Sequence, residues 1–180
     1  MTKLAMNNND RLFETERLSL REMDAARDAA FTCELLNSPK FIEYIGDRGV
    51  RTVDEAAGFI ETRYRQSYRD NGYGLYTVEL KDDGTQIGIC GFVKRDTLPL
   101  PDIGFAYLPE FERRGYGYEA AAATLDYGRD SLGMTRVLAI VSPANIASAG
   151  LLTKLGFQLD HSIDAGVENV DVYDLELASK

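Results

Sequence analysis

The distribution of hydrophobic and polar residues along the chain predicts a domain that contains both helices and strands. In the first third, alternation over residues 17–21 predicts a short strand. Asp24 is placed to cap a helix that runs towards Leu36, and Pro39 is expected to end that helix. Residues 52–55, with the sequence TVDE, have the capping-box pattern that begins a second helix.

The rest of the chain predicts strands around two further helices. The predicted strands are residues 73–80, 86–94, 103–108, 135–141, 157–163 and 169–177. One helix follows residue 115 and ends before Gly133, and another starts near Asn145 and ends before Gly156. The apolar phase slips between Val172 and Tyr173, which predicts a bulge or a sheet edge there. This order of elements predicts an α+β fold with a mixed, mostly antiparallel sheet and flanking helices.

The most informative segment is residues 108–120, LPEFERRGYGYEA. It joins the predicted strand 103–108 to an alanine-rich segment with high helix propensity. Gly115 and Gly117 allow the backbone to approach a ligand closely or to adopt positive φ. The N-terminus of a helix presents free N–H groups and the positive end of the helix dipole, so this loop is a candidate phosphate site.

Three interpretations of this loop compete. It is an ordinary strand-to-helix turn, a dinucleotide-binding turn, or a pyrophosphate loop of another kind. Gly115, Gly117 and Ala120 satisfy the dinucleotide pattern G-x-G-x-x-A. That pattern follows its strand directly and is paired with an acidic residue about 20 residues later. Residues 109–114 intervene here and residues 137–142 contain no acid, so the dinucleotide interpretation is disfavoured.

Several motifs, in their order and spacing, resemble the GCN5-related N-acetyltransferases. Residues 112–117 resemble the acyl-CoA loop of that family, Gln/Arg-x-x-Gly-x-Gly/Ala, except that Glu112 stands where Gln or Arg is usual. NIAS at 145–148 and LLTKLGF at 151–157 resemble the Asn-x-x-Ser/Ala and Leu-Gly-Phe elements. TERL at 15–18, followed by LR, resembles the opening of the ribosomal-protein-alanine acetyltransferase-like branch. The resemblance extends over residues 13–177 and implies a fold whose central strands splay apart.

The resemblance also implies acetyl-CoA as co-substrate and no metal. The loop amides would bind the pyrophosphate, while the backbone of Ala106 and Tyr107 would hold the pantetheine arm and polarise the thioester carbonyl. Gly104 would tolerate the splay of the strands. The side chains of the two loop arginines either pair with phosphate or are solvated surface charges. The implied acetyl-CoA contacts are Ala106, Tyr107, Arg113, Arg114, Gly115, Tyr116, Gly117, Tyr118 and Asn145.

The catalytic residues are less clearly marked. Many members of the family carry a Tyr general acid where this chain has Leu152 and Thr153. We predict that Ser148 replaces this Tyr as the general acid. The alternative is that Ser148 is only a small residue within the helix. Asp102 is the candidate base, and a turn acid at the start of a strand is its alternative.

The acceptor pocket is predicted from three aromatic residues, Phe41, Tyr44 and Tyr73, although aromatic residues at such spacing are also typical of a core. The resemblance implies that Asn145 contacts the cofactor, and its position also suits the cap of a helix. A weak base suits an α-amine, whose pKa is about 8, better than a lysine, whose pKa is about 10.4. This favours peptide N-terminal amines as the acceptor.

Length and residue counts indicate a single domain, residues 13–180, after a flexible tail, residues 1–12. Cys33 and Cys90 give neither a disulfide framework nor metal-ligand spacing, and Cys90 is expected to be a buried apolar residue. His161 is the sole histidine, which disfavours a structural zinc site, and we expect it at the surface.

The net charge of -9 disfavours nucleic acid as a partner, because phosphate binding needs a basic surface. The same charge fits a cationic acceptor or simply solubility. No apolar segment is long enough for a membrane span and no signal peptide is apparent, so the protein is expected to be cytoplasmic, without a membrane partner. The oligomeric state, monomer or homodimer, is left open.

The function expected from these features is N-acetyl transfer from acetyl-CoA to a primary amine, by direct transfer in a ternary complex. A small amine, such as a polyamine or an amino sugar, is the alternative acceptor. A non-catalytic acyl-CoA-binding module is the alternative from another class, because the usual Tyr is missing and Glu112 departs from the pattern. Release of free CoA distinguishes an enzyme from a binding module.

Overall fold

The computed structural model describes residues 10–164 and 169–178, which form an eight-stranded sheet in the order β1-β2-β3-β4-β5-β6-β8-β7. The strands are β1 (Arg11–Glu14), β2 (Leu18–Arg21), β3 (Leu75–Leu80), β4 (Gln86–Val93), β5 (Asp102–Tyr107), β6 (Arg136–Val141), β7 (Gln158–Asp164) and β8 (Asn169–Glu176). Neighbouring strands run antiparallel except β5 and β6, which are parallel. The predicted mixed, mostly antiparallel α+β fold is confirmed.

Helices cover both faces of this sheet. They are α1 (Ala25–Leu36), α2 (Pro39–Tyr44), α3 (Val53–Phe59), α4 (Gln66–Asn71), α5 (Tyr116–Asp130) and α6 (Ile146–Lys154), and a π-helical segment, Ile60–Arg65, joins α3 to α4. Asp24 accepts from the N–H groups of Ala26 and Arg27, and Thr52 and Glu55 make both bonds of the predicted capping box. Within the described ranges no helix is long and apolar enough to cross a membrane.

Pro39 has a different place from the one predicted. Helix α1 ends at Leu36, and Pro39 then opens the short helix α2. Proline suits the first turn of a helix because its missing N–H would have no intrahelical partner there. The sequence signal for the end of one helix was therefore also the start of another.

The hydrophobic core has two parts, one on each side of the sheet. Helix α5 covers a cluster that includes Leu18, Tyr76 and Cys90, and the last of these is fully buried, as predicted. Helices α1 to α4 cover the other cluster, which includes Leu35 and Ile89. Successive side chains of a strand point to opposite faces of the sheet. A one-residue slip would move buried side chains to the other face, so the core fixes the register of the central strands.

The central strands β5 and β6 diverge. The whole length of β5 pairs with β4, from Asp102 opposite Val93 to Tyr107 opposite Gly88. Strands β5 and β6 pair only where Asp102 lies opposite Leu138. The two strands therefore separate towards the carboxyl end of β5, and the predicted splay is confirmed. The space between them is called the β5–β6 gap below.

The two ends of the chain refine the predictions. Strand β1 includes Arg11 and Leu12, which the sequence analysis placed in the tail, while residues 1–9 lie outside the described residues. Strand β8 lies inside the sheet, between β6 and β7. The register of β7 shifts between Leu159 and His161, opposite the step from Tyr173 to Val172. The bulge predicted at that step is confirmed, but the extra residue lies on the partner strand.

Candidate functional site

The loop after β5 turns its backbone sharply before α5 begins. A 3-10 turn, Pro109–Phe111, follows the strand. Arg113 then has φ of 60° and Gly115 has φ of 81°, and Arg113 is the non-glycine residue with positive φ in the described ranges. Left-handed residues within a turn direct successive N–H groups to one side, which creates a concave site for an anion. Such a conformation costs a non-glycine residue energy, and strained residues cluster at ligand sites.

Helix α5 has no side-chain cap. Gly115 occupies its N-cap position and offers no side-chain acceptor, whereas the N-caps Asp24, Thr52 and Asn145 each accept from their own helix. The first backbone bond of the helix runs from Glu119 N to Gly115 O. The N–H groups of the first turn are therefore available to a ligand, at the positive end of the helix dipole. This geometry fits the phosphates of acetyl-CoA.

The Tyr107 ring holds this helix start against the sheet. A Cβ on Gly88 would lie 2.4 Å from Tyr107 Cδ1, so the ring occupies the space above that glycine. A Cβ on Gly117 would lie 3.5 Å from Tyr107 Cε2 and 3.4 Å from Leu151 Cδ2 of α6. The end of β5, the start of α5 and the side of α6 thus meet at Gly117. The Tyr107 hydroxyl is buried without a hydrogen-bond partner, and burial holds its pKa well above its usual value.

The strand register decides which backbone groups face the β5–β6 gap. Leu108 N donates to Ile87 O at 2.9 Å, which fixes the alternation of bonded pairs between β4 and β5. Ala106 therefore bonds to Ile89, and its backbone is not free for a ligand. The backbone of Tyr107 faces the gap, and so does that of Phe105, which was not among the predicted contacts. This alternation is visible only when the pairing is known.

The N-terminal end of α6 carries Asn145 and Ser148. Asn145 Oδ1 accepts from Ser148 N at 3.2 Å, so this side chain serves as the helix cap. The Thr153 hydroxyl donates to Ala149 O at 3.0 Å, and Leu152 is 1% exposed. Of the two hydroxyl side chains on α6, only that of Ser148 lacks a partner in the described part of the chain. This leaves Ser148 as the hydroxyl of α6 that is available to a ligand.

Asp102 lies where β5 and β6 begin to separate. Its side chain is 1% exposed and its Oδ1 accepts from Arg95 Nε at 2.9 Å. Burial raises the pKa of Asp102 to about 6, although Arg95 opposes this by favouring the carboxylate. A group with this pKa is ionised at neutral pH and can accept a proton. Asp102 and Tyr107 are at opposite ends of β5, about 17 Å apart along the strand.

The three aromatic residues predicted for the acceptor pocket lie in different environments. Phe41 is 5% exposed and packs in the core under α1 to α4, so it is a core residue and not part of an open pocket. Tyr44 is half-buried at the end of α2. Tyr73 packs edge-on against Phe92, with ring centroids 6.2 Å apart. Burial raises the pKa of Tyr73 and the charge of Asp102 adds to that effect, so these two side chains share one end of the sheet.

Two charged side chains of the loop, those of Glu112 and Arg114, have defined partners. Arg113 and Arg114 are exposed, and the Arg114 guanidinium lies 5.7 Å from the centre of the Phe111 ring. Glu112, the residue that departs from the family pattern, forms an ion pair with Lys40 of α2. Elsewhere, His161 is exposed, as predicted, with its Nδ1 2.6 Å from Asp160 Oδ2.

Residues 15–17 were not assigned to the site by sequence, yet they bind the loop and the first turn of α5. Thr15 and Arg17 contact Glu119 through side-chain and backbone bonds. The TERL motif marked this segment without showing what it contacts.

Comparison with known proteins places this geometry in a family. The model of the acetyltransferase (GNAT) domain matches residues 17–158. The uncharacterized N-acetyltransferase YoaA of Bacillus subtilis is 30% identical over 149 residues, which cover 82% of each chain.

Two solved structures show the same fold, and their sequence identities are too low to support a conclusion beyond the fold. The ribosomal-protein-S5-alanine acetyltransferase from Vibrio fischeri has a TM-score of 0.74 and 18% identity, over 91% of this chain and 95% of that one. The spermidine N-acetyltransferase from Vibrio cholerae, solved with CoA and spermine, has a TM-score of 0.73 and 19% identity, over 90% and 96%. The domain match, the relative and the loop at the splayed strands together establish that the chain belongs to the GNAT acetyltransferases, which are acyl-CoA-dependent N-acetyltransferases.

Proposed function

We propose that this protein transfers the acetyl group of acetyl-CoA to a peptide N-terminal α-amine, by direct attack in a ternary complex. The observation that supports acetyl-CoA as the co-substrate is the uncapped start of α5 at the open end of the β5–β6 gap. The first-turn amides and the loop at Arg113 bind the pyrophosphate. The backbone of Phe105 and Tyr107 holds the pantetheine arm and donates to the thioester oxygen.

The reaction needs two proton transfers. The neutral amine attacks the thioester carbonyl, a C–N bond forms and the C–S bond breaks. The proton of the amine passes to Asp102 through a chain of water molecules, because this carboxylate is ionised above a pKa of about 6 but lies at the other end of β5 from Tyr107. The leaving thiolate takes a proton from the Ser148 hydroxyl, and the proton that Asp102 releases to water restores that hydroxyl, so the amine proton ends on CoA.

The acceptor is assigned by its acidity. An α-amine with a pKa of about 8 is partly neutral near pH 7.5, whereas an amine with a pKa above 10 is almost wholly protonated. A carboxylate with a pKa of about 6 is a weak base, so it suits the α-amine. This acceptor also fits the resemblance to the ribosomal-protein-alanine acetyltransferase-like branch. A polyamine is the second candidate, and the observation that favours it is the net charge of -9.

An acceptor panel tests this proposal. Peptides with free N-termini, the same peptides with blocked N-termini and an internal lysine, spermidine and an amino sugar are each incubated with acetyl-CoA, and free CoA is measured. We expect the free N-termini to react fastest. Blocked peptides that react equally well would contradict the α-amine assignment, and a panel without any CoA release would favour a binding module.

Salt distinguishes the two cationic acceptors from a weakly charged one. Exposed charges are screened over about 10 Å at 0.1 M salt. If acidic surface charge attracts the acceptor, kcat/KM at low acceptor concentration falls as salt rises from about 0.05 to 0.5 M. A kcat/KM that does not change with salt would assign the acidity to solubility.

Ser148→Ala tests the proton donor. The substitution removes only the hydroxyl, because the helix cap uses the backbone N–H of Ser148. We expect kcat to fall by about tenfold with an unchanged Kd for acetyl-CoA, the pattern of an interaction made mainly in the transition state. Thr153→Ala is the matched control, because its hydroxyl bonds to its own helix, and it should leave kcat unchanged. Equal rates for the Ser148 variant and the parent would return this residue to a structural role.

A further inference from the structure

Arg17 contacts residues 109–115, called the CoA loop below, and the first turn of α5. Its Nε donates to Glu119 Oε2 at 2.7 Å, and its NH1 donates to Arg114 O at 3.0 Å. Its guanidinium carbon lies 4.5 Å from the centre of the Tyr116 ring. A Cβ on Gly115 would lie 3.2 Å from its NH2, so the guanidinium is packed directly against the turn. The contacts include the residues on both sides of Gly115.

The bond to Arg114 O fixes the orientation of one peptide plane. The C=O of Arg114 and the N–H of Gly115 belong to the same trans peptide and point in opposite directions. Holding the C=O down on Arg17 therefore holds the N–H of Gly115 away from it, towards the open side of the loop. Glycine permits this peptide to rotate at low cost, so the turn itself does not fix the direction.

Glu119 gives Arg17 a fixed position. Its Oε1 accepts from Thr15 Oγ1 at 2.6 Å and from Arg17 N at 2.9 Å, while Oε2 accepts from Arg17 Nε. Burial alone would raise the pKa of Glu119, but the bonds from Thr15 and Arg17 outweigh it and the pKa lies below its usual value. Arg17 also neutralises a carboxylate in the first turn of α5, which would otherwise repel a bound phosphate.

We infer that Arg17 is a positioning residue of the CoA loop: held by Glu119, it orients the Arg114–Gly115 peptide so that the Gly115 N–H faces the pyrophosphate. This inference rests on the proposed use of the loop. It differs from a direct charge contact with phosphate, because it depends on the forked geometry of the guanidinium. Lysine carries its three N–H donors on a single nitrogen, so it cannot reproduce the planar fork that bonds to both Glu119 and Arg114 O.

The test compares the Kd for CoA, measured by calorimetry, in the parent and in three variants. Arg17→Ala and Arg17→Lys are both expected to weaken CoA binding about tenfold. Arg11→Ala is the matched control, because Arg11 pairs with Glu14 in β1, away from the loop, and its loss should change the Kd by less than about twofold. If Arg17→Lys binds CoA as tightly as the parent, charge alone suffices and the inference is overturned.

Kinetics separate positioning from a general structural role. With an acceptor in hand, Arg17→Ala should raise the KM for acetyl-CoA about tenfold and leave kcat nearly unchanged. S-acetylpantetheine, a donor without the phosphates, should react equally with the variant and the parent. Equal losses with both donors would show that Arg17 merely supports the fold.

Glu119→Gln covers the case in which Arg17→Ala does not fold. It keeps the shape of the side chain and removes the charge that anchors Arg17, so it should weaken CoA binding in the same direction. An unchanged Kd in this variant would contradict the anchoring. A parent protein that binds no CoA would overturn the proposed function itself, whereas binding that is unaffected by these variants would overturn only the role of Arg17.

Discussion

Replacing Gly117 by glutamate is expected to abolish acetyl-CoA binding and to leave the fold intact. Gly117 lies in the first turn of α5, whose N–H groups have no side-chain cap. A carboxylate there would occupy the anion site and repel the pyrophosphate. We expect at least about a hundredfold increase in the Kd measured by calorimetry, which corresponds to the loss of charge-assisted bonds from several amides.

Gly117→Ala is the control for this variant. Gly117 has no positive φ, and a Cβ there would lie 3.4 Å from Leu151 and 3.5 Å from Tyr107, which is close to ordinary contact. The alanine variant should therefore bind acetyl-CoA within a few-fold of the parent. NAD should bind to neither the parent nor the alanine variant, because the loop lacks the ribose-binding acid of a dinucleotide fold. Glutamate and alanine variants of equal affinity would place the phosphates elsewhere.

Local signals allowed most helix starts to be predicted from the sequence. Asp24, Thr52 and Asn145 all cap the helices that their sequence context indicated, because capping depends on residues within one turn. Periodicity located the central strands for the same reason. Strand β1 was missed altogether, since residues 11–14 become a strand only by pairing with β2 at the sheet edge.

Contacts between distant segments could not be predicted in this way. Thr15 and Arg17 meet Glu119 across more than a hundred residues, and neither pattern nor propensity records such a pair. Phe41 is spaced like a pocket residue, yet it packs in the core once α2 folds against α1. The sequence therefore identified the loop that we propose binds acetyl-CoA, but not the side chains that hold this loop in place.

The second large effect is expected from Asp102→Asn, which should lower kcat/KM by about a hundredfold or more at pH 7.5. If the Asp102 carboxylate accepts the proton of the amine, activity in the parent falls as pH drops through about 6, where this group becomes protonated. Asparagine has the shape of the protonated acid and cannot accept the proton. The acidic limb of the pH profile should therefore disappear in the variant.

The pH dependence of stability tests the raised pKa of Asp102 independently of activity. The pKa of Asp102 is raised in the folded protein, so the folded state binds the proton more tightly than the unfolded chain does. The free energy of unfolding of the parent should therefore decrease, relative to that of the Asn variant, as pH rises from about 4 to about 6. Urea titrations at several pH values measure this difference without any acceptor.

Arg95 provides the matched test of the base. Its side chain is 37% exposed, and its positive charge favours the ionised form of the buried Asp102. Arg95→Gln should raise the pKa of Asp102 further and move the acidic limb of kcat/KM to higher pH. If the acidic limb of the pH profile stays at the same pH in Arg95→Gln and is still present in Asp102→Asn, the limb reports the titration of another group. In that case Asp102 would be only the buried partner of Arg95, and the base would lie elsewhere in the β5–β6 gap.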